Sequence, residues 1–155
     1  MKKEIAKKWV KALRSGKYKR GEGYLKQYNK KNQVRHCCLG VLCELYNYEM
    51  KKNHKKTLKT RTKKLINGSI GGIEKMVEKN FANNYGFVIF NNQSGSLPSV
   101  VKKWAGIKDS TGEFIYKVKD KYGEYKDNKN LSILNDTGCK FTTIANIIEK
   151  NVENI

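Results

Sequence analysis

Near the N-terminus apolar residues recur at helical spacing: Ile5, Trp9 and Leu13 stand four apart, with Ala6 and Ala12 beside them and lysines between. That pattern predicts an amphipathic helix over residues 2–15, ended by Gly16. The stretch GKYKRGEGYLKQYNKKNQVRHC alternates enough to predict a hairpin or irregular strands. Apolar positions 39, 42, 45 and 46 then predict a helix over 39–48, although Gly40 weakens it. Residues 51–65, KKNHKKTLKTRTKKL, hold only one apolar side chain, Leu58, before the closing Leu65, and read as an exposed, flexible basic insert, a loop or a frayed helix.

The second half is punctuated more clearly. A short helix is predicted over 73–81 and a buried strand over 86–90, with the glycines of 67–72 as a connector. SGSLPSVVKKWAGI combines a Ser96 cap, Pro98 in the first turn, one face of Leu97, Val100, Val101 and Trp104, and a terminal Gly106, which together specify a helix. EFIYKV (113–118) alternates as a strand, KYGEY turns, NLSILND forms a short helix stopped by Gly138, and Phe141, Ile144, Ala145, Ile147 and Ile148 line a last helix. The expected fold is a single compact α+β domain over 1–155, a short antiparallel sheet packed with four or five helices.

Composition adds a strong charge asymmetry. The formal net charge is +19; residues 1–66 hold 21 Lys and Arg against 4 Asp and Glu, and residues 67–155 hold 12 against 10. A codon bias toward lysine accounts for there being only four arginines, but it leaves the shortage of acids in the first half unexplained. An anionic partner, such as nucleic acid, a nucleotide or an acidic protein surface, accounts for it. No apolar run is long enough for a signal peptide core or a membrane span, so a soluble, cytoplasmic protein with no membrane partner is expected.

The densest chemistry lies in VRHCCLGVLCELY, where His36, Cys37, Cys38 and Cys43 crowd one apolar run. Zinc is a poor fit: Cys38 and Cys43 are five apart, about 140° around a helix, and no second Cys-x-x-Cys pair exists. A thiol nucleophile at Cys37 or Cys38 would gain thiolate character from a helix N-terminus, as in a cysteine hydrolase. HCCLGVL distantly resembles the DCSGLV element of papain-like amidases, but the only later histidine is His54, inside the lysine run. The simplest reading makes the cysteines core side chains, with no metal and no cofactor.

Two other motifs are partial. GKYKRGEG opens with the spacing of a phosphate loop, yet Glu22 and Gly23 stand where a Walker motif needs Lys and Ser or Thr. The C-terminal LSILNDTGCKFTTIANIIEKN resembles two-thirds of a helix-turn-helix and lacks a recognition helix, so packing is its expected role. The candidate phosphate-binding set is therefore the 14–35 segment: Arg14, Lys17, Lys19, Arg20, Lys26 and Arg35 as phosphate contacts, with Tyr18, Tyr24 and Tyr28 among them to stack on bases. The 51–65 run is expected to attract anions by its field and to fix little geometry.

Four blocks, KKWVKALRSGKYKRGEGYL, HCCLGVLCELY, LPSVVKKWAGI and LSILNDTGCKFTTIANIIE, together resemble a family of small accessory proteins of tailed phages and prophages, whose biochemical activity is unassigned. The resemblance implies phage origin and an accessory, counter-defence role; the basic 51–65 insert departs from the family pattern, and it is the charge and the tyrosines among the lysines that make a non-enzymatic polyanion binder the first expectation and a protein that blocks a host defence protein the second.

Overall fold

The computed structural model describes residues 1–29, 31–64, 84–120 and 123–155. The expected helix over 73–81 and the 67–72 connector lie outside them, as do residues 121–122 of the expected KYGEY turn. The remaining elements, in chain order, are α1 (Lys3–Arg14), β1 (Lys26–Asn29), β2 (Val34–His36), α2 (Cys38–Lys52), β3 (Thr60–Lys64), β4 (Asn84–Phe90), α3 (Ser99–Ala105), β5 (Glu113–Asp120), β6 (Gly123–Asn130), α4 (Leu131–Asp136) and α5 (Phe141–Lys150). The architecture is α+β, as the sequence pattern predicts.

One antiparallel sheet has the order β2-β1-β4-β3, and β5 and β6 form a separate antiparallel hairpin. Lys26 and Glu44 are paired across the β1–α2 boundary, so α2 covers the sheet face bearing Lys26, His36, Val88 and Phe90. Directly paired residues share a face, so the other face aligns Arg35, Gln27, Phe87 and Lys63 in one row, with Ile89 opposite Arg61.

The first half of α2 is the centre of the core. Six consecutive residues, Cys38 to Cys43, are buried, so this helix is apolar all round where neighbours surround it and becomes amphipathic only beyond Glu44. The helix runs straight through Gly40, which the sequence made a weak point. A Cβ there would overlap the Leu25 carbonyl, so glycine is what lets the chain leading into β1 press on the helix. The α1 stripe of Ile5, Ala6, Trp9, Val10 and Leu13 is buried as expected, and the Trp9 indole donates to the Cys38 carbonyl at 2.9 Å. Burying side chains such as Trp9, Leu39 and Ile144 contributes about 1.5 to 3 kcal/mol each.

Within the 51–65 run, Lys51 and Lys52 close α2, and Thr60–Lys64 form β3, paired with β4 throughout. Leu58, only 5% exposed, pins the intervening chain to the core, and its N–H donates to Asn47 Oδ1 at 2.9 Å. Alternating threonine and cation is also ordinary edge-strand composition, in which charge blunts unwanted pairing. One expectation is corrected: Ser96 does not cap α3. Its hydroxyl bonds Gln93 Oε1, and Pro98 takes the N-cap position, its φ of −57° already suited to a helix start.

Candidate polyanion-binding groove

The structure divides the 14–35 candidates into two groups. Arg14 reaches from the end of α1 to Glu149 Oε2 at 2.8 Å and Asn146 Oδ1 at 2.6 Å, tying α1 to α5. Arg20 donates to the Asn135 carbonyl at 2.7 Å and pairs with Glu22 at 2.7 Å, and Lys26 pairs with Glu44 at 2.8 Å. Lys17, Lys19 and Arg35 are exposed and make no ion pair among the described residues. Lys17 Nζ rests 5.6 Å from the centre of the Tyr18 ring.

The tyrosines meet protein partners. Tyr18 is edge-on to His36 at 5.2 Å, and burial pushes its hydroxyl pKa up. Tyr24 is stacked on Phe87 at 4.2 Å, and Tyr28 packs half-buried against the core. These residues therefore build the wall of the domain around a polar hub. Asn135, fully buried, accepts from the Cys38 N–H at 3.1 Å and donates to the Gly21 carbonyl at 2.8 Å and Asp136 Oδ1 at 2.9 Å. Asp136 Oδ1 in turn accepts from the Gly23 N–H at 3.0 Å. The Leu-Asn-Asp segment thus clamps the glycine loop against the cysteine block.

Burial decides the chemistry of the cysteines. Cys37 is the N-cap of α2, its sulfur accepting from the Gly40 N–H at 3.3 Å, and burial pushes its thiol up to about 12. Desolvation raises Cys38 and Cys43 well above the ordinary thiol value. A nucleophile needs the opposite shift. His36 does not supply a base to them: its Nε2 lies 3.4 Å from Glu44 Oε1, and its buried Nδ1 has no hydrogen-bond partner. Glu44 is itself desolvated, which pushes its carboxyl up, but hydrogen bonds from His36 and Lys26 outweigh this and hold it at about 2. Among the described residues no group of three or more His, Cys, Asp or Glu is placed to hold a metal ion.

A set of exposed cations with a shaped setting lies elsewhere, in a groove of about 520 Å³ beside the start of β3. Lys56, Lys59 and Arg61 line it, and among the described residues no acidic side chain does. The segment bearing them is held by a reciprocal pair of bonds: the Lys59 N–H donates to Asn91 Oδ1 at 2.8 Å and the Asn91 N–H to the Lys59 carbonyl at 2.9 Å. Asn91 and Asn92 adopt φ of +45° and +69°, the left-handed region that asparagine tolerates, in the turn that leaves β4. Tyr46 from α2, Ile89 from β4 and Val100 from α3 complete the lining. Tyr46 is oriented by an edge-to-face contact with Trp104 at 5.4 Å.

Sequence reasoning placed phosphate contacts on 14–35 and gave 51–65 a lesser part. The signal for the groove was present as eight cations without an acid over 51–64, but only the strand pairing and the Leu58 anchor show that the segment has fixed geometry.

One family model, the domain of unknown function DUF8296, matches residues 1–152. The chain belongs to that family. No curated protein and no solved structure matches the chain. Among the described residues of this DUF8296 member, no helix is long and apolar enough to cross a membrane.

Proposed function

We propose that this DUF8296 member is a non-enzymatic binder of phosphate-bearing polyanions, with nucleic acid as the ligand class and the groove of Lys56, Lys59 and Arg61 as the site. The observation that carries the reading is the convergence of those three cations on one groove with no acid in its lining among the described residues. The half-buried Glu44 and Lys26 neutralise each other, whereas Lys56, Lys59 and Arg61 have no ion pair among the described residues, so this trio on a pinned segment is a preorganised anion site. The exposed Lys17, Lys19 and Arg35 extend the positive field and raise the rate of encounter. The buried, high-pKa thiols favour binding over cysteine hydrolysis.

The resemblance of the four sequence blocks to tailed-phage accessory proteins supports a setting in the host cytoplasm and a counter-defence role, in which nucleic acid is occupied or shielded. The test is a fluorescence-anisotropy titration of a labelled oligonucleotide over a salt series. Engagement of three phosphates predicts that the logarithm of affinity falls against the logarithm of salt with a slope of about −2 to −3. A flat response, or no binding at 50 mM salt, refutes the reading.

A further inference from the structure

Resting on the polyanion reading, we infer that the groove accepts one nucleotide unit of a single strand, with its own phosphate and those of its two neighbours on Lys56, Lys59 and Arg61 and its base against Tyr46, Ile89 and Val100. A site that only followed duplex phosphates would need cations among polar neighbours. Here the cations come from one continuous segment, while the apolar lining comes from three other elements, α2, β4 and α3. Val100 is 42% exposed although it is aliphatic, so the groove keeps an apolar surface in water.

The dimensions agree. A volume of about 520 Å³ lies within the range of small-molecule sites, roughly 300 to 1,000 Å³, and accommodates a base with its sugar and phosphate. A paired base cannot enter such a site without leaving its stack, whereas an unpaired base enters freely and gains apolar and aromatic contact. Asn92 also lines the groove, and its amide has no hydrogen-bond partner among the described residues, so it offers a donor and an acceptor to a base edge. Arg61 and Ile89 are paired residues on adjacent strands, which puts a phosphate contact and a base contact side by side on one face of the sheet.

The experiment uses the full chain and three probes at 150 mM salt: a fluorescein-labelled 15-nucleotide oligo-dT, the same strand in a duplex with oligo-dA, and thymidine 5′-monophosphate as competitor. The single strand should bind about tenfold or more tightly than the duplex, and the monophosphate should compete only at far higher concentration. Tyr46→Leu and Val100→Ser should each weaken single-strand binding several-fold and leave the duplex unchanged. Tyr46 also packs on Trp104, so Val100→Phe, at an exposed position, provides an independent reading and should tighten single-strand binding several-fold. Equal affinity for strand and duplex, both lost in the Lys56→Gln, Lys59→Gln, Arg61→Gln variant, would overturn the single-strand inference and leave the polyanion reading standing. Binding that survives that triple variant would overturn both. Competition by the monophosphate at the strand's own concentration would overturn the strand in favour of a free nucleotide.

Discussion

Replacing Glu44 by glutamine tests the buried polar cluster under the sheet. The carboxylate is about three-quarters buried, 2.8 Å from Lys26 and 3.4 Å from His36, and its pKa is held at about 2 against an ordinary 4.5. At about 1.4 kcal/mol per pH unit, that depression corresponds to about 3 kcal/mol in favour of the ionised folded state. Glutamine keeps an acceptor oxygen of the same shape, which retains about 1 kcal/mol of neutral hydrogen bonding. The expected loss at pH 7 is therefore about 2 kcal/mol. Because the folded-state pKa is the lower one, the carboxylate's contribution is complete above the unfolded value of 4.5 and drains away as the pH falls toward 2. Urea unfolding of both proteins at pH 7, 5, 4 and 3 should show the difference shrinking steadily below pH 5. A difference that is absent at pH 7, or that stays constant down to pH 3, would refute the reasoning.

Gly40→Ala forces a methyl group into the Leu25 carbonyl and should cost more than about 4 kcal/mol, read as loss of cooperative thermal unfolding. Asn135→Ala removes three hydrogen bonds and orphans the buried Cys38 N–H; a loss of about 3 kcal/mol in denaturant midpoint titrations is expected. A chromogenic disulfide reagent at pH 8 should titrate one thiol quickly in the native protein, the half-buried Cys139, and all four only after denaturation. Fast labelling of Cys37 or Cys38 would restore the nucleophile reading.

Where local chemistry decided the structure, the sequence was legible. Trp9 and Leu13 marked a stripe, Gly106 at φ +68° ended α3, and the cysteine run was core because apolar neighbours surround it. What escaped depended on distant partners. Asn135 looks like an ordinary amide in a short helix, yet its bonds reach residues 97 and 114 positions away. Strand β6, GEYKDNKN, has no apolar alternation and is a strand because β5 pairs with it along its whole length. The same holds for β3: Thr60–Lys64 looks like solvated charge until β4 is placed beside it. The groove was missed for that reason, since its lining comes from α2, the β3 segment, β4 and α3, and no one stretch of sequence displays it.

The central claim is that fixed cations in the groove, rather than the general basic field, hold the anion. Two triple variants decide it: Lys56→Gln, Lys59→Gln, Arg61→Gln in the groove, and Lys17→Gln, Lys19→Gln, Arg35→Gln among the exposed cations of the 14–35 segment. Both remove the same charge, so each lowers the long-range field equally. Anisotropy titrations of labelled oligo-dT from 50 to 200 mM salt should show the groove variant losing about 100-fold or more at 150 mM, with the salt slope reduced by about 2. The second variant should lose only a few-fold, chiefly through slower association. The reverse ranking would contradict the account and return the site to the 14–35 segment.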